Sequence, residues 1–299
     1  MVNKDSVSVI ITTYNRKKLI GRALDSVLAQ TRPPDEIILI DDGSSDNTDQ
    51  YIKENYPHIK YIWQENHGIS KARNIGISLT NSTWIAFLDS DDQWLPPKLS
   101  NQLNALQIEP TYNICHTNEI WIRSGKRVNP MLKHQKSGGF IFEKCLPLCI
   151  ISPSSVIIHQ SVFKEHGIFD ESLQVCEDYD LWLRLCAFLP VLYLEEPQII
   201  KYGGHKDQLS QKYWGMDRFR IIALEKIIEN PNLSQENKSV ALQSLLEKID
   251  IYILGAEKRK KEEDVELYSE KKLKYQILLE SSSNKPPLNL SSVKILPNK

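Results

Sequence analysis

The chain is poor in cysteine, and the five it has, Cys115, Cys145, Cys149, Cys176 and Cys186, make an odd number. None forms a Cys-x-x-Cys pair, and Cys145 and Cys149 lie in an apolar stretch. This spacing argues against a disulfide framework or a zinc site, and reduced thiols in a core or groove are expected. Long hydrophobic runs are also missing: none approaches the ~18 residues a membrane span needs. Residues 1–5 lead straight into an apolar strand pattern, with no charged n-region, apolar h-region and cleavage site. A cytoplasmic protein without a transmembrane segment is expected, with peripheral contact at the inner face of the membrane left open. Excess charge is absent too. The net charge of −1 gives no reason to propose nucleic acid or a strongly anionic membrane as a partner. No internal repeat stands out.

What remains is an ordinary globular composition, 41% apolar over 299 residues, enough for one large domain or a domain with an extension. The first half alternates strand and helix patterns. Residues 7–11, 37–40, 59–63 and 84–88 read as apolar strands, and helical stripes lie between them. Asn15 is placed to cap the first helix. Continuous apolar strands alternating with helices predict a mostly parallel sheet covered on both faces. After residue 92 the rhythm becomes irregular. Pro96-Pro97 opens a helix, residues 114–122 and 154–158 read as strands, 123–139 as a polar loop or hairpin, 178–188 as a helix, and 191–194 as a last strand. Residues 216–229, 235–256 and a stretch reaching 279 read as helices, and the Ser- and Pro-containing tail from 281 reads as disordered. The run Lys258-Arg259-Lys260-Lys261 meets Glu262-Glu263-Asp264, so it reads as a solvated helix face.

The stretch Phe87-Leu88-Asp89-Ser90-Asp91-Asp92 ends a buried strand in three carboxylates within four residues. Ionised carboxylates so close repel unless a cation sits among them. Oxygen ligands at a strand end suit Mg²⁺ or Mn²⁺, with coordination positions left for phosphate. The alternative is a solvated turn. Two further polar clusters follow apolar strands: Thr12-Thr13-Tyr14-Asn15 and Asp41-Asp42. In a parallel sheet all three reach one edge, where ligands bind. Tyr14 can stack on a base and Asp42 can accept a base N–H. Together they describe a nucleotide-diphosphate pocket.

Residues 8–16, 40–48, 66–76 and 87–92 resemble, in order and spacing, the signature blocks of family-2 glycosyltransferases, which are inverting enzymes of the GT-A fold. The resemblance covers roughly residues 6–215. It implies a Rossmann-like α/β domain over residues 1–215, with a nucleotide-binding half to about 95 and an acceptor half from 96, followed by a helical extension over 216–299. It implies an enzyme moving a sugar from a nucleotide-diphosphate donor, a UDP-sugar above all, to a hydroxyl on a glycan or lipid-linked acceptor. Mg²⁺ or Mn²⁺ would assist. Thr12, Tyr14, Asn15, Asp42, Arg73 and Asp89 would bind the donor nucleotide, and Asp91, with Asp89, would hold the metal in the family's DXD motif. Asp41 reads equally as a turn residue or a base contact, and Asn74 and Gly76 read as helix-packing residues.

Cys176-Glu177-Asp178-Tyr179-Asp180-Leu181-Trp182-Leu183-Arg184 resembles the family's acidic block, in which a carboxylate serves as general base. Asp178 matches that position best; Glu177 and Asp180 are alternates. Inversion is one in-line displacement, so the base must face the acceptor hydroxyl opposite the leaving diphosphate. Asp178 as a helix N-cap is the plain alternative, Asp180 is spaced to pair with Arg184, and Trp182 is a candidate wall of the acceptor site. His205, in a Gly-rich loop resembling a downstream block, is a further candidate for metal or diphosphate. Two other function classes fit less well. A nucleotidyltransferase would carry a basic Gly-rich loop after the first strand, where Thr12-Thr13-Tyr14-Asn15 stands. A non-catalytic sugar-nucleotide binder would have no need of Asp89, Asp91 and Asp178 together.

Overall fold

Seven consecutive buried residues, β1 (Val7–Thr13), form a strand in the middle of a nine-stranded sheet. The computed structural model describes residues 5–129, 131–204 and 213–283. After β1 come α1 (Lys17–Leu28), β2 (Glu36–Asp41), α2 (Thr48–Asn55), β3 (Lys60–Trp63), α3 (Ile69–Leu79) and β4 (Trp84–Asp89). The next elements are β5 (Gln93–Trp94), α4 (Lys98–Ile108), β6 (Ile114–Arg123), β7 (Lys126–Val128), α5 (Phe142–Cys145), β8 (Ile157–His159), α6 (Gln160–His166), α7 (Glu177–Cys186) and β9 (Leu192–Gly203). Three helices end the described chain: α8 (Asp217–Ile228), α9 (Gln235–Glu257) and α10 (Glu262–Ser283).

The sheet order is β3-β2-β1-β4-β8-β6-β9-β5, with β7 paired to β6. The four strands of the alternating first half are parallel to one another. Beyond β4 the sheet is mixed: β8 runs antiparallel to β4 and β6, β9 parallel to β6, and β5 antiparallel to β9. The mostly parallel expectation therefore describes the first half, where helical crossovers impose it.

Alternate residues of β1 serve two cores, as the pleat requires. Val9 and Ile11 face Ile20 and Leu24 of α1 and Leu99 and Leu103 of α4. Ile10 faces the other side, in a core that runs through Phe87, Trp182 and Leu185 to Leu224, Leu242, Ile249, Tyr252 and Tyr275. The C-terminal helices thus share one hydrophobic core with the sheet. Ion pairs add to it: Lys226 meets Asp170 at 2.5 Å and Asp180 at 2.6 Å, and Lys271 meets Glu225 at 2.6 Å.

Three local readings need correction. Asn15 does not cap α1; its φ is +52°, Arg16 takes the cap position, and the Asn15 side chain is used elsewhere. Residues 153–155 form a short 3₁₀ turn, so β8 begins only at Ile157. The last strand is much longer than the apolar run at 191–194. Pro197 interrupts its pattern, yet the strand continues because the β6–β9 register shifts at Thr117–Glu119, opposite that proline.

α3 lies so close to the sheet that a Cβ on Gly76 would come within 2.4 Å of Ile10 Cγ2. Gly76→Ala should destabilise the protein by about 1–3 kcal/mol through overpacking, despite the better helix propensity of alanine. Urea unfolding of the two proteins measures this, and equal midpoints would show that α3 can shift.

Candidate active site

Register brings the three polar clusters together. Thr12 of β1 lies opposite Asp89 of β4, and Thr13 opposite Asp41 of β2. Past this edge the Tyr14 side chain is half exposed, as a stacking platform requires. The next residue ties two strand-end loops together: Asn15 N–H donates to Ser44 Oγ at 2.8 Å, and Ser45 N–H donates to Asn15 Oδ1 at 2.8 Å. Asp42 is buried and clamps the loop before α3. Its Oδ1 accepts from Gln64 Nε2 at 2.6 Å and His67 N–H at 2.9 Å, and its Oδ2 from Gly68 N–H at 2.9 Å. Three of the four lone-pair positions of the carboxylate are used within the chain, leaving one on Oδ2 for a ligand donor. Asp41 is fully buried and accepts from Ser44 N–H and the Tyr61 hydroxyl, which is the arrangement of a turn residue.

The acidic turn after β4 divides its carboxylates between two tasks. Asp92 turns inward, where it accepts from Ser154 Oγ at 2.7 Å and from Tyr202 N–H at 3.2 Å. Burial, together with Asp89 and Asp91, pushes it up to about 8, against the pull of Lys201. Asp89 is partly exposed, and its backbone N–H donates to the same Ser154 hydroxyl at 3.1 Å. Burial and the neighbouring Asp89 raise Asp91 above the ordinary carboxylate range, so a cation would lower the free energy of its ionised form. Among the described residues, no three His, Cys, Asp or Glu side chains converge as a ready-made metal cage. Two aspartates with open positions suit Mg²⁺, which is commonly held by one or two carboxylates and completed by substrate phosphates.

Arg73 joins this edge to the second acidic block. Its Nη2 donates to Asp89 Oδ1 at 2.8 Å and its Nη1 to Glu177 Oε1 at 2.6 Å. Arg73 and Glu177 are both buried. Burial and the adjacent Asp178 push Glu177 up to about 7 against the pull of Arg73. Cys176, with φ of +63°, takes the cap position of α7, so Asp178 is not the N-cap. Asp178 is half-buried in the first turn, where the helix dipole favours a carboxylate. Its Oδ1 accepts from Tyr179 N–H at 2.7 Å, and its Oδ2 accepts from the Cys149 thiol at 3.2 Å.

Asp180 and Trp182 do not reach the open site. Asp180 is buried and tied to Arg184 Nε at 2.9 Å as well as to Lys226, which removes it as an alternate base. Trp182 is 1% exposed and enclosed in the core, so it cannot line an open acceptor cleft. His205 lies outside the described residues. Several site residues carry no local sequence signal. Cys149 reaches Asp178 from a loop, and Ser154 holds the acidic turn. Lys201, close to Asp89 and Asp92, donates to Ser152 Oγ at 3.1 Å. Only the Ser152-Pro153-Ser154-Ser155 run hinted at a turn in place of a strand.

The sequence profile described as Glycosyl transferase family 2 matches residues 8–167, more than half of the chain. The chain belongs to this family. A glycosyltransferase of Rickettsia felis is 33% identical over 220 residues, covering 69% of this chain and 35% of that protein. One of Rickettsia typhi is 32% identical over 217 residues, covering 68% and 65%. The Escherichia coli protein WfaP, named a UDP-Glc:α-D-GlcNAc-diphosphoundecaprenol β-1,3-glucosyltransferase, is 31% identical over 188 residues, covering 60% and 70%. The chain thus spans about a third to two thirds of the length of the first two relatives. Staphylococcus aureus TarS, solved with UDP-GlcNAc, superposes with a TM-score of 0.63 at 21% identity, over 82% of this chain and 71% of that one. The fold of this family-2 chain is the GT-A type with a helical C-terminal region.

The raised Glu177 should make the stability of the protein pH-dependent. In the fold it keeps its proton to about 7, against an ordinary value of 4.5. Between those values the native chain binds more protons than the unfolded chain, so this contribution is full below about 4.5 and lost as pH rises through about 7. Glu177→Gln should flatten the stability profile between about pH 5 and 7 in urea unfolding. An unchanged slope would show that Arg73 keeps Glu177 ionised throughout.

Proposed function

We propose that the protein is an inverting glycosyltransferase that moves a sugar from a UDP-sugar to a hydroxyl of a glycan or lipid-linked acceptor, in the making of a glycan, polysaccharide or glycolipid. The observation that carries this reading is the Arg73 fork, which ties the strand-end Asp89 to the α7 acidic block. Family membership supports the reaction class. The UDP donor named for WfaP and the UDP-GlcNAc bound by TarS support the donor class.

In this reading the Tyr14 ring stacks on the uracil, and the free position on Asp42 Oδ2 takes the imide N–H. Thr12, Asn15 and Asp89 line the nucleotide at the strand ends, and Arg73 adds positive charge beneath the diphosphate. Asp91, with Asp89, would hold Mg²⁺ or Mn²⁺, which neutralises charge on the leaving diphosphate when bound. Asp178 lies on α7, across the cleft from β4, and takes the proton of the acceptor hydroxyl. Attack from that side, opposite the diphosphate, inverts the anomeric centre. Residues 1–215 would form the catalytic unit, and the helices from 216 would support it. The chain would work in the cytoplasm.

Asp178→Asn keeps the size and the hydrogen-bonding capacity of the side chain but removes the base. Turnover should fall by about 10²–10⁴ with donor affinity nearly unchanged. The wild-type product of an α-linked UDP-sugar should be β-linked, read from the anomeric proton coupling by NMR. An α-linked product, or a fully active Asp178→Asn protein, would overturn the mechanism. Asp91→Ala should abolish the gain in UDP affinity that Mn²⁺ confers in calorimetry while leaving the fold intact. Retention of the full gain would remove Asp91 as a ligand.

A further inference from the structure

Charge is distributed unevenly along this nearly neutral chain. Residues 123–144 carry Arg123, Lys126, Arg127, Lys133, Lys136 and Lys144 against one acid, Glu143, while the whole chain has a net charge of −1. Lys136 is buried and paired with Glu119 at 3.2 Å; the other five cations are exposed. The same segment exposes three large apolar side chains, Leu132 at 89%, Phe140 at 77% and Met131 at 60%.

Local contacts tie parts of this segment together. Arg123 and Lys126 are cross-strand neighbours at the β6–β7 turn. Trp121 of β6 contacts His134, with ring centroids 5.2 Å apart, which holds the 3₁₀ turn Leu132–His134 against the hairpin. Leu132, Lys133 and Lys144 line a common cleft of about 340 Å³. Paired hydrogen bonds between Gly139 and Val191, at 2.8 and 3.0 Å, anchor the backbone beside Phe140. The cleft is one residue removed from a contact of Asp178: Lys136 Nζ donates to Ile150 O at 2.6 Å, and the preceding residue, Cys149, bonds Asp178.

We propose that this face docks the protein on an anionic lipid bilayer. Clustered Lys and Arg are drawn to the negative surface potential of such a membrane, and exposed apolar side chains among them enter the headgroup–acyl boundary. Two of the three exposed apolar side chains, Leu132 and Met131, favour lipid over nucleic acid as the occupant. They are aliphatic, present no face for a base to stack on, and gain nothing beside a phosphate backbone. The run Lys258–Lys261 lacks both features, since acids offset it and it carries no apolar side chain. Docking through residues 123–144 would bring the Asp178 side of the cleft to the membrane.

The test is co-sedimentation of the full chain with vesicles of phosphatidylcholine alone and of phosphatidylcholine mixed with phosphatidylglycerol. It reads binding, not turnover, so its outcome is independent of the proposed reaction. Binding to the mixed vesicles should be at least about tenfold tighter, and should weaken as salt is raised. Lys133→Glu with Lys144→Glu, and separately Leu132→Ser with Phe140→Ser, should each weaken binding about tenfold or more. These side chains are exposed, so circular dichroism and melting temperature should stay at wild-type values. Lys258→Glu with Lys260→Glu should leave binding unchanged. Equal binding to both vesicle types, wild-type binding by either residue 132–144 variant, or displacement of the protein from vesicles by an oligonucleotide would overturn the proposal.

Discussion

The site depends on one guanidinium. Arg73 binds a carboxylate 16 residues away in β4 and another 104 residues away at the start of α7. The fork geometry of arginine lets a single side chain satisfy both. Without it, Asp89, Glu177 and Asp178 would form an uncompensated acidic cluster, and burial makes such a cluster costly. The neighbouring residue extends the joint. Asn74 donates to Phe169 O and Glu171 Oε1, both at 2.9 Å, and accepts from Phe169 N–H at 3.1 Å. One turn of α3 thus ties β4 to the start of α7 and to residues 169–171, and Gly76 lets that helix lie against Ile10 of the sheet.

Behind the acidic turn lies a second charge-balanced layer. Glu119 accepts from Ser152 Oγ and Trp121 Nε1, each at 2.7 Å, and pairs with Lys136. Despite its burial, it is drawn down to about 2 by Lys136 and Lys201. Burial works against the charge of Lys201, yet Glu119, Asp92 and Asp89 raise it above the ordinary lysine value. Charges that would be prohibitive singly stabilise one another as a network with satisfied hydrogen bonds. Lys201 of this layer lies close to Asp92, whose carboxylate turns inward to Ser154 and Tyr202.

The C-terminal helices brace the segments around Asp178. α8 packs on α7, the helix that carries Asp178, and Lys226 of α8 neutralises Asp180 two residues further on. Lys248 of α9 donates to Pro147 O at 2.8 Å, two residues before Cys149. Both segments that touch Asp178 are therefore braced by these helices.

Local pattern determined the first half of the molecule. The buried runs at 7–11, 37–40 and 84–88 can only be strands between helices, and parallel pairing then brings Thr12, Asp41 and Asp89 to one edge because strand ends align in register. The ordered motif blocks carried the family as well. Tertiary structure decided which acids are free. Asp178, Asp180 and Glu177 stand within four residues and share one chemistry, yet only packing from α8 and α3 commits Asp180 to Lys226 and Glu177 to Arg73. Trp182 belongs to the core because α5 and α8 pack on its helix, and nothing near it in sequence says so. Asn15 has the composition of a cap, but a partner 30 residues away recruits it to pin a loop. The length of β9 was hidden by Pro197, whose effect a register shift in the neighbouring strand absorbs. In each case the deciding partner lies far along the chain, where local periodicity carries no information.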